Sequence, residues 1–204
     1  LDYYLRNAAF LAPFEPERPA GFYTAEHHAR ELAADVQRAA QGTGVRFYLA
    51  LKDVPGRVIG SVALNNIVRG AFQSCFLGYK LDGALCGRGY MTQAVEACTR
   101  FAFGPAALHR VEANVMPRNT ASLRVLKKCG YRPEGLARRY LRINGVWEDP
   151  YGASQRAGQG LTSRVQYRRT RQSAGVPGAR SYWNSVRSSR SNTESSSRKS
   201  STNG

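Results

Sequence analysis

The stretch Cys75–Phe103, CFLGYKLDGALCGRGYMTQAVEACTRFAF, predicts a strand, a glycine loop and a helix in direct succession. Residues 75–81 alternate between two faces, one of them fully apolar, which is the period of a β-strand. Residues 91–102 place apolar side chains at helical spacing. Between them, the glycines of GRG at 87–89 let the backbone turn sharply and present successive N–H groups. Together with the positive end of the helix dipole, these N–H groups form a potential phosphate site.

The glycine loop is not specific evidence by itself, because a strand-to-helix turn also uses glycine for steric reasons alone. Two better-known phosphate loops are excluded. Thr92 replaces the third glycine of GxGxxG, and the sequence contains no GxxxxGK[ST]. On this loop alone, phosphate binding and a simple tight turn both remain open.

A second stretch, HRVEANVMPRNTASLRVLKKCGY at 109–131, predicts another strand followed by an amphipathic helix. Val111 and its alternate neighbours form the apolar face of the strand. The helix opens at Asn119, a good N-cap residue, and closes at Gly130. The two stretches therefore predict a strand–helix–strand–helix unit with an anion loop at the carboxyl end of its first strand, where open sheets bind ligands.

These stretches, with LGYKLD (77–82) and RRYLRINGVWED (138–149), resemble the GCN5-related N-acetyltransferases (GNAT), in particular the ribosomal-protein alanine N-acetyltransferases of the RimJ and RimL type. The likeness runs from about residue 8 to residue 149. It implies an α/β (α+β) GNAT fold: a mixed, mostly antiparallel sheet flanked by helices, whose central parallel pair of strands splays apart. It also implies acetyl-CoA as cosubstrate, no metal, and direct transfer of the acetyl group to a primary amine, either a protein N-terminus such as that of a ribosomal protein or another small amine.

The resemblance further implies which residues bind the cofactor. The N–H groups of the glycine loop would hold the pyrophosphate, strand 75–81 would polarise the thioester carbonyl, and Asn119 would contact the cofactor arm. Plainer interpretations stay open, since Arg88 reads equally well as a solvated arginine and Asn119 as a helix cap. The expected cofactor-binding residues are Gly78, Tyr79, Lys80, Leu81, Gly87, Arg88, Gly89, Tyr90, Met91, Thr92, Asn114, Asn119 and Ser122.

Two residues are candidates for proton transfer. Ser122 matches a serine thought to donate to the thiolate in similar enzymes, although a serine in a first helical turn is also an ordinary capping residue. The tyrosine acid that many members carry four residues later is Leu126 here, and Leu141 stands where one relative has a glutamate. Glu112 is then the candidate base on its strand, or simply the ion-pair partner of Arg110.

The composition of the chain limits the number of domains and the kind of protein that it can form. With 204 residues, 42% of them apolar, the chain can bury one good core. It has no run of about 18 apolar residues, which predicts that it does not cross a membrane. Four cysteines lie singly on predicted strands or helices, which is typical of a reduced, cytoplasmic protein without a disulfide or zinc framework. No signal peptide is visible.

The net charge of +16 is concentrated at the C-terminal end, where residues 151–204 carry 10 of the 30 basic side chains and one of the 14 acidic ones. We therefore predict a domain over 1–149 and a basic, Ser/Arg-rich, disordered tail over 150–204. Compared with members of the family, the domain would lack its first strand, as in an N-terminally truncated fragment. Its last strand would be incomplete after Asp149. Either a basic arm for nucleic acid or a shift of reading frame near codon 150 would explain the tail.

Three functions follow from these features. The first is an acetyl-CoA-dependent N-acetyltransferase. The second is an inactive remnant of that fold, with weak or no CoA binding. The third is a nucleic-acid-binding protein that acts through its tail, although aromatic side chains interleaved with basic ones, which this function favours, are few there.

Overall fold

The computed structural model describes residues 1–159, which form one six-stranded sheet with helices on both faces and a separate two-stranded hairpin. The helices are α1 (Asp2–Leu11), α2 (Ala25–Gln41), α3 (Tyr90–Phe103) and α4 (Thr120–Lys128), with short 3-10 turns at Ala12–Phe14 and Gly83–Leu85. The strands are β1 (Val45–Leu51), β2 (Val54–Val68), β3 (Ser74–Leu81), β4 (Arg110–Val115), β5 (Arg132–Leu136), β6 (Leu141–Ile143), β7 (Val146–Glu148) and β8 (Tyr151–Arg156).

The sheet has the strand order β1-β2-β3-β4-β8-β5, and β6 pairs only with β7. Strands β1, β2 and β3 form an antiparallel meander, β4 runs parallel to β3, and β8 is antiparallel to both β4 and β5. The predicted fold class, a mostly antiparallel mixed sheet with one parallel pair, is confirmed. Within residues 1–159, no helix is both long and apolar enough to cross a membrane.

Local signals place the helices where the sequence predicts them. At the start of α2, the Thr24 hydroxyl accepts a hydrogen bond from the His27 N–H at 3.2 Å, and Gly42 ends the helix in the left-handed conformation. Helix α3 buries the stripe that contains Val95 and Cys98 completely. This stripe packs α3 onto the sheet and fixes where the loop before it can lie.

The parallel pair β3 and β4 separates after a short contact. The two strands pair only from Ser74 with Arg110 to Phe76 with Glu112. Both strands then continue, β3 on its β2 side and β4 on its β8 side, without pairing to each other. Their carboxyl ends therefore splay apart, as the resemblance implied, and leave a gap in the middle of the sheet.

The predicted boundary at Asp149 is wrong for the residues that follow it directly. Residues 151–156, which we expected to be disordered, form β8, and Pro150 before them is buried. Strand β8 lies between β4 and β5 and pairs with both. An inner strand is held by backbone hydrogen bonds on both edges, so a low apolar content does not prevent it from forming. The predictions of disorder and of a frame shift for residues 160–204 lie outside the described residues.

We expect the side chain of Gln155 on β8 to lower the stability of the fold. Its side chain is fully buried opposite Val111, and neither its amide nitrogen nor its carbonyl oxygen has a hydrogen-bond partner among residues 1–159. An unpaired buried polar group costs about 1–3 kcal/mol. We therefore expect Gln155→Met, which keeps the length of the side chain, to raise the free energy of unfolding by about that amount.

Chemical denaturation of the full chain measures this change. The control is Gln41→Met at the exposed end of α2, which should leave the midpoint of the transition unchanged. A destabilised Gln155→Met protein would contradict the prediction, because it would mean that the amide is satisfied in solution.

Candidate active site

A cleft of about 480 Å³ lies at the splayed ends of β3 and β4. Its walls come from the glycine loop, the first turns of α3 and α4, the end of α1 and strand β6. Eleven of the predicted cofactor-binding residues line it: Gly78, Tyr79, Lys80, Leu81, Gly87, Gly89, Met91, Thr92, Asn114, Asn119 and Ser122. Arg88 and Tyr90 belong to the same loop but do not line the cleft.

Both glycines of the glycine loop adopt the left-handed backbone conformation. Gly87 and Gly89 have φ values of +79° and +80°, which side chains rarely adopt. A Cβ atom at either position would meet nothing within 4 Å, so these glycines serve the backbone conformation and not close packing. Gly89 is the N-cap of α3, and the N–H groups of the next residues have no acceptor within the helix. The loop therefore offers free donors and a positive helix end at the edge of the cleft.

The start of α4 is fixed by two hydrogen bonds. The Oδ1 atom of Asn119 accepts from the N–H of Ser122 at 3.1 Å, which confirms that Asn119 caps the helix. The Tyr79 hydroxyl donates to the Ser122 carbonyl oxygen at 3.1 Å and so ties the free end of β3 to α4. Burial raises the pKa of Tyr79, which keeps this hydroxyl protonated as a donor. Both Asn119 and Ser122 still face the cleft.

Glu112 is not brought to the cleft. Its carboxylate pairs with the Nε atom of Arg110 at 3.0 Å, and Glu112 is absent from the cleft lining. Arg110 also donates to Glu134 on β5, so the cluster links β4 to β5 across the strand β8 that lies between them. The sequence left two interpretations of Glu112 open, and Arg110 was the expected partner in one of them. The geometry favours the ion-pair interpretation of Glu112 over the catalytic one.

The structure also shows where two leucines lie at positions that the sequence analysis compared with the proton-transfer groups of related enzymes. Leu126, at the position of the tyrosine acid of related enzymes, is buried in the interior and offers no hydroxyl. Leu141, at the position of a relative's glutamate, lines the cleft as an apolar wall. Neither position supplies a proton-transfer group.

Sequence reasoning missed the carboxylate that does face the cleft, Glu15, which follows the turn Ala12–Phe14. Its Oε1 atom lies 2.5 Å from the Nζ atom of Lys80, and its other oxygen contacts Arg18. No motif marks this residue. The only signal in the sequence is an acidic side chain in a turn-rich segment among aromatic residues.

The segment around this turn is anchored by side chains from distant parts of the chain. Arg118 donates to the Pro13 carbonyl oxygen at 3.1 Å and to Glu148 on β7 at 2.7 Å. Asn144, in the β6–β7 turn, donates to the Ala12 carbonyl oxygen at 2.8 Å. These contacts hold the segment before Glu15 against the hairpin that supplies Leu141 to the cleft.

The family model described as an acetyltransferase (GNAT) domain matches residues 5–132, and the chain belongs to this family of N-acetyltransferases. It is 43% identical over 145 residues to the probable N-acetyltransferase YjcK of Bacillus subtilis, covering 70% of this chain and 78% of that protein. It is 36% identical over 149 residues to the [ribosomal protein uS5]-alanine N-acetyltransferase of Escherichia coli, covering 72% of this chain and 76% of that protein.

A solved structure agrees with the fold. Mycobacterium smegmatis RimJ in complex with CoA-disulfide superposes with a TM-score of 0.71 at 28% identity, over 76% of this chain and 75% of that one. The resemblance of the sequence to acetyltransferases of the RimJ and RimL type is thereby confirmed.

Proposed function

We propose that this protein moves the acetyl group of acetyl-CoA directly to a primary amine at a protein N-terminus, of the ribosomal-protein alanine type. The observation that carries the proposal is the cleft, where the glycine loop and the splayed strand ends meet. The 36% identical E. coli relative acts on an alanine of a ribosomal protein, and the M. smegmatis relative binds a CoA disulfide, which supports both the acceptor and the cosubstrate.

The residues fit the cofactor in two places. The N–H groups from Gly87 to Thr92 would hold the pyrophosphate at the start of α3. Past Phe76, the N–H and carbonyl groups on the β4 side of β3 have lost their neighbouring strand. They can pair with the amides of the pantetheine arm, and an N–H near Tyr79 can donate to the thioester carbonyl.

The thioester supplies an activated acetyl group, and the chain must orient it and manage protons. Charge that develops on the carbonyl oxygen is stabilised best by donors that are already in place, as the β3 backbone is. Ser122 lies on the first turn of α4 and faces the same cleft, so its hydroxyl is the proton donor that we assign to the leaving thiolate.

Calorimetric titration with acetyl-CoA, followed by mass spectrometry of a synthetic peptide that begins with alanine, tests the proposal. We expect saturable binding and a single acetyl group on the α-amine. The same peptide with a blocked N-terminus, and with a lysine further along, is the control and should stay unmodified. Preferred acetylation of the lysine side chain or of a free polyamine would overturn the acceptor class.

The inactive-remnant alternative predicts weak or no binding of acetyl-CoA in the same titration and no acetylated peptide. The nucleic-acid alternative depends on the tail beyond residue 159 and predicts salt-dependent binding to a duplex that acetyl-CoA does not affect. For the location, we propose the cytoplasm, which is supported by four cysteines that all carry free thiols.

A further inference from the structure

Among the described residues that line the cleft, Glu15 is the only one that carries a carboxylate. We propose that Glu15 binds the ammonium of the acceptor and takes its proton as the amine approaches the thioester. This inference rests on the proposed N-acetyltransferase function and identifies the base that Glu112 does not provide.

The proposed cofactor site and Glu15 lie on opposite faces of the sheet. Neighbouring residues of a strand point to opposite faces. Tyr79 points to the α4 face, where it reaches the Ser122 carbonyl, whereas Lys80 points to the α1 face, where it meets Glu15 and the Tyr4 hydroxyl. The gap between β3 and β4 joins the two faces. A thioester held on the α4 side is then open to an amine that enters from the α1 side, past Glu15.

Apart from Lys80 and Arg18, the two cations that contact its carboxylate, Glu15 lies among apolar side chains. Phe10, Leu11 and Phe14 line the same part of the cleft, and Leu141 adds an apolar wall from β6. An ammonium that loses water in such a place needs an anion beside it. The Glu15 side chain, 13% exposed, is the anion that the lining offers.

The Glu15 carboxylate is held in place but can still accept further hydrogen bonds. One oxygen pairs with Lys80 and the other contacts Arg18, so the carboxylate is fixed from two directions. An ionised carboxylate has about four acceptor sites, and these two partners leave the others for an incoming N–H. The ion pair also keeps the buried ammonium of Lys80 compensated.

The proposed step balances. The ammonium gives one proton to the Glu15 carboxylate, and the freed lone pair of the nitrogen attacks the acetyl carbonyl carbon. A C–N bond forms and the C–S bond breaks. The second proton leaves the nitrogen and the thiolate gains one, through Ser122 or water. Glu15 then releases its proton to solvent, and the products are the amide, CoA thiol and one proton.

Glu15→Gln keeps the size of the side chain and removes the base. We expect kcat/KM for the alanine peptide to fall by about 100-fold or more, as is typical when a general base is lost. The dissociation constant for acetyl-CoA should stay within about twofold, because the cofactor site lies on other residues. The matched control is Glu17→Gln, two residues along, exposed and outside the cleft, which should leave both quantities unchanged.

A purely structural role must be separated from catalysis, because Glu15→Gln also leaves the Lys80 ammonium without its main partner. The double variant Glu15→Gln/Lys80→Met removes that unpaired charge, and Lys80→Met alone shows what the lysine contributes. If Glu15 is the base, the double variant stays as slow as Glu15→Gln. Recovery of kcat/KM to the level of Lys80→Met would overturn the proposal.

Methylamine at high concentration distinguishes a wrong acceptor class from a wrong base. If the wild-type chain acetylates methylamine but not the peptide, the proposed acceptor class is wrong, and Glu15 is judged on the methylamine rate. An equal rate in wild type and Glu15→Gln would overturn the role of Glu15. A wild-type chain that binds acetyl-CoA but acetylates neither amine overturns both proposals.

Discussion

Gly89→Asp is expected to weaken acetyl-CoA binding by about 100-fold or more, which corresponds to about 2.8 kcal/mol. Gly89 caps α3 with φ at +80°, at the point where the free N–H groups converge. A carboxylate at this position would accept hydrogen bonds from those N–H groups and would lie beside the pyrophosphate. Like charges about 4 Å apart repel by about 4 kcal/mol at an effective dielectric constant of about 20, which is enough for the expected loss.

Strain is the competing explanation, since a side chain at positive φ costs about 1–2 kcal/mol in the folded state. Gly89→Asn separates the two effects. Asparagine has nearly the shape of aspartate and tolerates the left-handed conformation, but it carries no charge. We expect Gly89→Asn to bind acetyl-CoA within about tenfold of the wild type, and both variants to unfold at similar temperatures.

Calorimetric titration of the three proteins with acetyl-CoA, at the same salt concentration, measures the difference. Raising the salt concentration should reduce the difference in acetyl-CoA affinity between the Asp and Asn variants, because screening weakens charge repulsion. Equal binding by the two variants would mean that position 89 matters only for the backbone, and the phosphate site would have to be sought elsewhere in the cleft.

The sequence predicted the parts of the site that depend on local chemistry. Glycines before an amphipathic stripe predict a strand-to-helix loop, and Asn119 predicts a helix cap, because each signal involves residues within one or two turns of each other. The splay between β3 and β4 came only through the resemblance. It depends on β8 and β2 holding the two strands from their outer edges, and no periodicity encodes that.

The errors share one cause, which is contact between distant segments. Glu15 and Lys80 are 65 positions apart, so nothing near Glu15 predicts its partner. Strand β8 looked too polar to be ordered because its stability comes from two neighbouring strands and not from its own side chains.

Ending the chain after Asp149 is expected to destroy the fold, whereas ending it after Gln159 should preserve acetyl-CoA binding. The shorter chain lacks β8, which makes six residue pairs with β4 and four with β5. Hydrogen bonds contribute about 0.5–1.5 kcal/mol each, so a ladder on both edges is worth roughly as much as the whole stability of a typical domain, about 5–15 kcal/mol.

The consequences reach the cleft because β4 carries Asn114 and leads into Asn119. Without β8, one edge of β4 is exposed in the middle of the sheet, which favours aggregation, and β5 loses its only partner strand among residues 1–159. The longer chain is the matched control, since it differs by only ten residues. Circular dichroism melting and acetyl-CoA titration measure both chains. Cooperative unfolding and full affinity in the chain that ends at 149 would show that β3 and β4 hold the cleft unaided, and that the domain does end where the sequence first suggested.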